Sequence, residues 1–280
     1  MMSISSTQRV SRIVIRLALW FSIALVLLPL IWMVTTSFKP AGYAQAIPPK
    51  WIFPPTLEHY VNVLNGSSGT AFGPLLLHSA IVSAASTVLA LVLGFFASYA
   101  LARVRFRGRH SLAMWILSTI MFPPVVAVIP IFILAGRLQL IDTYPVLIVP
   151  YAAFNLPIVI WTLRSTIRQI PEEIEEAAFV DGVSRMGAIT RIILPLTAPG
   201  LATAAILSML LCWNEFLFAV TLTRSAVKTA PVGINEFTGM FGTEWGNLTA
   251  AATTIVAPVL VMALVLRRHL IEGLTLGAVK

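Results

Sequence analysis

Composition, the lengths of the apolar runs and the placement of charge together predict an all-α polytopic membrane protein with six transmembrane helices. Of the 280 residues, 58% belong to the AVILMFWYC set and 11% are charged, where a water-soluble domain averages about 45–50% apolar and about 25% charged. One soluble domain cannot bury that much apolar surface, so the remainder must meet lipid. Runs near the roughly 20 residues that a bilayer core demands lie at Ile13–Thr36, Pro74–Ala102, Leu112–Leu134, Val146–Leu163, Gly200–Thr223 and Ala250–Leu266.

Within the first run, the stretch Leu17–Thr36 follows Arg9, Arg12 and Arg16 but is too long for a signal-peptide core and has no small-residue cleavage site, so the run reads as a first span, with residues 1–12 preceding it. The third and fourth runs are punctuated by Pro123, Pro124, Pro130, Pro145, Pro150 and Pro157, which should kink or break them. With six spans, fourteen of the 19 basic residues fall on the side of the termini, among them Arg103, Arg105, Arg107 and Arg109. Lys39, Lys50, Arg137, Arg224 and Lys228 fall on the other. That bias puts both termini in the cytoplasm.

The net charge of +8 is thus a topology signal. Basic residues sit in short clusters at membrane edges, not in a continuous patch with interleaved aromatics, so nucleic acid is excluded as a partner. The cluster from Arg103 to Arg109 reads as an anchor on anionic lipid headgroups. Cys212 is the single cysteine, and His59, His78, His110 and His269 are far apart, which leaves no disulfide framework and no metal site.

Three loops are longer than an anchor needs. Residues 39–73 face outward and contain Ile47–Pro55, where prolines extend the backbone and Trp51 and Phe53 suit the interface; an interfacial plug and a contact with an extracytoplasmic partner both fit. Residues 224–247 combine Gly233, Gly239, Gly242 and Gly246 with Phe237, Phe241 and Trp245. Glycine with exposed aromatics suits a mobile finger, and a packed or re-entrant loop would look similar.

The cytoplasmic loop 170–195 carries the most local information. Pro171 suits a first helical position, and Glu172, Glu173, Glu175 and Glu176 complement the positive end of the dipole. Gly182 should end that helix in the left-handed conformation, Ser184 should cap a second helix, and Pro195 should end it. Small residues and the apolar knob Phe179 at this elbow suit docking to a cytoplasmic protein, because four clustered glutamates do not suit anionic headgroups.

Within the membrane, Glu215 beside Asn214 and Trp213 is the outstanding acid. An acid at a span centre costs about 2.5–3.5 kcal/mol on insertion scales, so it must pair, face a cavity or lie near an edge. A structural hydrogen bond and a direct solute contact both remain open for it. Asn155 is a second candidate for lining a path, with Tyr151 and Trp161 able to stack on sugar faces.

The elbow resembles the EAA motif of permease subunits in ATP-binding-cassette importers. Glu176-Ala177-Ala178, Asp181-Gly182 and then Ile192, Leu194 and Pro195 after nine residues reproduce its spacing. Ser37–Pro40, Tyr99–Arg103 with Arg105–Arg109, Met121–Pro124, Trp213–Phe216 and the tail Gly273–Lys280 resemble the carbohydrate-type, maltose-like branch. One departure is His78-Ser79, where relatives usually carry Asn-Ser.

The resemblance implies a permease of the bacterial cytoplasmic (inner) membrane, assembled with a second homologous permease, two copies of a cytoplasmic ATPase and an extracytoplasmic solute-binding protein. Glu176, Ala177, Ala178, Phe179, Asp181, Gly182 and Arg185 would couple to the ATPase. Phe237, Phe241, Gly242 and Trp245 would reach the binding protein. Asn214, Glu215, Asn155 and Tyr151 would border the solute path. ATP and Mg would sit on the ATPase, since this sequence has no phosphate-binding loop and binds no cofactor. The expected cargo is a sugar or sugar-like solute; a glycerol-phosphodiester or polyamine is the alternative within transport. A polytopic membrane enzyme is the alternative of another class, and the sequence offers no catalytic constellation for it.

Overall fold

The chain is described by a computed structural model covering residues 6–66, 71–239 and 242–275, with side chains described for 11–66, 71–239 and 242–264. It is almost entirely helical. In order come α1 (Ser6–Ser37), α2 (Ala41–Ala44), α3 (Glu58–Asn65), α4 (Phe72–Arg103), α5 (Arg109–Ser118), α6 (Pro124–Arg137), α7 (Tyr144–Gln169), α8 (Glu172–Val180), α9 (Arg185–Ala188), α10 (Leu194–Leu196), α11 (Ala198–Trp213), α12 (Leu217–Leu222) and α13 (Ala230–Gly233). A two-residue hairpin, β1 (Thr238–Gly239) with β2 (Gly242–Thr243), precedes α14 (Trp245–Thr275).

Among the described residues four helices are continuous, apolar and long enough to cross a bilayer: Ser11–Ser37, Phe72–Arg103, Tyr144–Gln169 and Trp245–Leu264. Two further apolar pairs are bent, Arg109–Met121 with Pro124–Arg137 by 89° and Arg185–Leu196 with Ala198–Trp213 by 74°. Counting each bent pair as one span gives six.

The third run is broken as its prolines lead one to expect: Pro123 and Pro124 remove two backbone donors in succession and Phe122 turns extended. Three other expectations change. The fifth run breaks at Asn214–Phe216, between α11 and α12. Pro195 does not end the second elbow helix: a π-helical stretch, Ile189–Ile193, runs into α10, and the chain bends at Thr197 instead. The extra residue of a π turn suits a site where the next proline cannot donate. By contrast α7 stays continuous through Pro150 and Pro157, both buried, since packing on its neighbours outweighs the lost hydrogen bonds.

The chain divides into two bodies. One comprises residues 1–72 and 234–256. In it the most apolar stretch of α1 is left uncovered, free for lipid or another chain. The Lys39 ammonium is buried over the Trp32 ring, 4.1 Å from its centroid. His59 bridges the Lys39 carbonyl and the Asn247 side chain, each at 2.8 Å. Asn247 is therefore buried in a hydrogen-bonded cluster.

The other body, residues 73–233 and 257–280, holds the helical core. There Gly94 lets α4 approach α7 so closely that a Cβ would lie 2.5 Å from Val159. Ser98 Oγ sits at this contact, sharing its proton between the Gly94 carbonyl of its own helix at 2.5 Å and the Ile160 carbonyl across it at 3.1 Å. Small residues at helix crossings are the usual device where no hydrophobic force draws helices together.

Candidate functional site

The elbow forms as its local chemistry dictates. Gly182 takes φ +81° with open space around it, so conformation and not crowding demands glycine. Ser184 Oγ caps α9 by accepting from the Gly187 N–H at 3.2 Å. α8 has two faces. Glu175 and Ala178 are buried, whereas Glu176, Ala177, Phe179, Val180, Asp181, Gly182 and Arg185 are exposed. Every coupling candidate except Ala178 therefore lies on an open surface.

The buried face holds what the sequence did not reveal. Tyr99 donates from its hydroxyl to Glu175 Oε2 at 2.7 Å, Arg103 Nε donates to Glu175 Oε1, and a second Arg103 nitrogen donates to the Ile170 carbonyl at 2.6 Å. Arg103 is thus no headgroup anchor, since its side chain is only 9% exposed and ion-paired. Arg105, at 88% exposed, keeps the anchor geometry and approaches Glu172 at 3.7 Å. The only local signal for the pair was an arginine one turn after a tyrosine, which does not name a partner 72 residues away.

The second feature lies where the broken helices meet α7. A cavity of about 860 Å³ is lined by the α5–α6 break (Thr119–Pro124), by Tyr151, Phe154 and Asn155 of α7, and by Cys212, Glu215 and Phe218 around the α11–α12 break. Three of the four path candidates, Tyr151, Asn155 and Glu215, come together here. Asn214 does not: its amide donates back to the Leu210 carbonyl at 2.8 Å, outside the lining. Trp161 is also elsewhere, beside the Arg164 guanidinium.

Glu215 and Asn155 each have a local reason for their orientation. Glu215 accepts from the N–H groups of Phe218 at 3.0 Å and Ala219 at 3.3 Å, which satisfies the first turn of α12 after the break. The Asn155 amide donates to the Tyr151 carbonyl at 2.8 Å and to Cys212 Sγ at 3.3 Å. The Tyr151 hydroxyl is buried beside the Glu215 carboxylate. Phe154 and Phe218, 5.2 Å apart, supply an aromatic wall. The result is a mostly apolar chamber with one carboxylate, one amide and one phenol, suited to a polar solute with an apolar ring face.

The first part of the 224–247 loop, residues 224–230, is anchored by hydrogen bonds. The Asp142 carboxylate, after α6, accepts from the backbone N–H groups of Arg224, Ser225, Ala226 and Val227. Burial pushes its carboxyl up, but those four donors outweigh it and hold the group at about 2. His78 hydrogen-bonds the Lys228 carbonyl at 3.1 Å, and Ser79 Oγ accepts from the Ala230 N–H at 2.8 Å, which gives the His-Ser pair an anchoring task. Phe237 is not a free contact: it is 4% exposed and packs on Phe72, because its apolar ring finds a core position before the hairpin. Gly242 and Trp245 are exposed, and Phe241 lies outside the described residues.

Comparison with known proteins agrees with this architecture. Residues 90–275 match the family described as "Binding-protein-dependent transport system inner membrane component". The trehalose transport system permease protein SugB of Mycobacterium tuberculosis is 39% identical over 259 residues, covering 91% of this chain and 92% of that protein. The trehalose/maltose transport system permease protein MalG of Thermococcus litoralis is 36% identical over 258 residues, covering 91% of each. A chain of a bacterial ABC transporter involved in import of the acidic polysaccharide alginate shares the fold with TM-score 0.79 at 22% identity, over 96% of this chain and 99% of that one. The chain is therefore a multi-pass transport permease, and it belongs to the family of inner-membrane components of binding-protein-dependent transport systems.

Proposed function

We propose that this chain is one of two homologous permease subunits of an ATP-driven importer, and that it moves a sugar delivered by an extracytoplasmic binding protein. The elbow, α8 to α9, faces the cytoplasm together with both termini and seats in one of two ATPase subunits that bind ATP and Mg. The observation that carries this reading is the two-faced α8: its outer face presents Phe179 and Val180 to a partner while its inner face is ion-paired to the permease body. A knob on a braced helix can carry a push from an ATPase into the membrane helices.

The cavity at Tyr151, Asn155 and Glu215 supports the path reading, because helix breaks expose polar backbone where a solute must cross and aromatic walls suit sugar faces. The names of the similar permeases support a sugar over other solutes. Exposed Trp245 and Gly242 would meet the binding protein.

The test is reconstitution of the complete importer in lipid with its binding protein and a solute panel of mono- and disaccharides, a glycerol phosphodiester and a polyamine. Stimulation of ATP hydrolysis and uptake by a sugar is the expected result. Stimulation by the phosphodiester or the polyamine alone would overturn the sugar reading and leave the permease reading intact.

A further inference from the structure

We propose that Tyr99, Arg103 and Glu175 form a latch that fixes α8 to the end of α4, and that this latch is the positioning element through which movement of the elbow reaches the membrane helices. The inference rests on the reading of the elbow as the ATPase contact. It names residues that lie outside that contact.

The geometry singles out Glu175 among the elbow glutamates. Its neighbours Glu172, Glu173 and Glu176 are exposed, whereas Glu175 is 4% exposed. Both its carboxylate oxygens are occupied, one by the Tyr99 hydroxyl and the other by Arg103 Nε. Tyr99 and Arg103 stand one helical turn apart on α4, so they meet α8 from a single face.

Arg103 also reaches the carbonyl of Ile170, the residue that turns the chain from α7 into α8. One guanidinium thus ties three segments: the end of α4, the α7–α8 turn and α8 itself. Such an arrangement has few soft degrees of freedom, because a planar guanidinium and a carboxylate with both oxygens engaged hold direction as well as distance.

Stability alone does not explain the pair. A buried ion pair is often no better than apolar residues of the same volume, because desolvating both charges offsets their attraction; its best attested use is to fix register. Here the fixed register is that of a helix whose other face carries the exposed Phe179 and Val180. An apolar contact would let α8 slide on α4 when pushed. The latch converts the push into movement of α4, a continuous helix of 32 residues.

The experiment uses the assembled importer in lipid, with Glu175→Gln, Tyr99→Phe and their combination in this chain and Gly182→Val as reference. Copurification with the ATPase, unstimulated ATP hydrolysis, stimulation by loaded binding protein, and uptake are measured for each. Assembly and unstimulated hydrolysis should stay near wild type in the two single latch variants. Stimulation and uptake should fall roughly tenfold in Glu175→Gln, within the usual range of a coupling free energy, and less in Tyr99→Phe. The combined variant should be no worse than Glu175→Gln, since both changes disable one unit.

Wild-type stimulation in an assembled Glu175→Gln importer overturns the latch, as do strictly additive losses. If Glu175→Gln fails to assemble, Tyr99→Phe decides, because it removes a single hydroxyl and keeps the ion pair: wild-type stimulation there also overturns it. Gly182→Val separates the two levels. Lost stimulation in Gly182→Val with full stimulation in Glu175→Gln sinks only the latch, whereas full stimulation in Gly182→Val sinks the elbow reading and the latch with it.

Discussion

Glu215 accepts a hydrogen bond from the backbone N–H of Phe218 at 3.0 Å while lining the large cavity, so one carboxylate both restarts a broken helix and faces the proposed path. The two duties predict different mutational outcomes. Glu215→Ala loses the cap and should destabilise the chain by about 1 kcal/mol, the usual cost of a lost cap. Glu215→Gln keeps a carbonyl acceptor and should recover most of that stability in thermal unfolding. Uptake restored equally by glutamine would show that the charge has no part in solute passage; uptake lost in both would assign it one.

Asp142 should make the solubilised protein acid-sensitive in a defined window. Its carboxyl is held at about 2 in the folded chain against an ordinary 3.8, chiefly by four backbone donors acting against burial. The folded state therefore takes up this proton less readily than the unfolded chain. The stabilisation is complete above about pH 5 and fades as pH falls through 2. Asp142→Ala should cost about 1.5–3 kcal/mol at neutral pH, the range for a hydrogen bond to a charged group, and should flatten the acid limb of a pH–melting curve. An unchanged acid limb in that variant would contradict the assignment.

At Gly182 the constraint is φ +81° in open space. Gly182→Ala should cost about 1 kcal/mol from the left-handed backbone alone, and a branched residue more. The elbow would then relax by changing its angle, without a clash. Expression and melting should change little while uptake is lost, a split that a core variant does not give.

Gly94→Leu should do the reverse. A Cβ there already falls 2.5 Å from Val159, so the α4–α7 contact must open. Overpacking of this kind costs about 1–3 kcal/mol. A lowered melting temperature, with coupling retained in whatever protein survives, is the expected reading.

Phe237 and Trp245 should separate cleanly in binding-protein titrations. Phe237 is 4% exposed against Phe72, and Phe237→Ala should cost roughly 3–5 kcal/mol of stability as a buried aromatic truncation. Trp245 is 50% exposed, and Trp245→Ala should weaken the response to binding protein with little change in melting. Equal melting losses in the two variants would show that the Trp245 ring also serves the core.

What the sequence makes legible is local. Pro171, Gly182 and Ser184 each act within a few residues of themselves, so the outline of the elbow follows from residue types and spacing alone. The Asn214–Phe216 break does not, because the run from Gly200 to Thr223 is apolar apart from Thr203, Ser208, Asn214, Glu215, Thr221 and Thr223, and hydropathy is blind to a helix that stops and restarts. Phe237 reads as a finger residue because glycine and aromatics favour exposed loops and packed ones alike.

By itself the sequence determined the membrane, the six apolar runs, the charge bias and the helix–glycine–helix elbow, because transfer from water to lipid and backbone conformation are settled residue by residue. Only the tertiary structure decided which charges meet: Arg103 with Glu175 across 72 residues, and Asp142 with the N–H groups that begin at Arg224, 82 residues on. It also decided that Tyr151, Asn155 and Glu215 share one cavity. Those choices depend on helix crossings set by contacts such as Gly94 with Val159, and no periodicity along one helix states which neighbour it will cross.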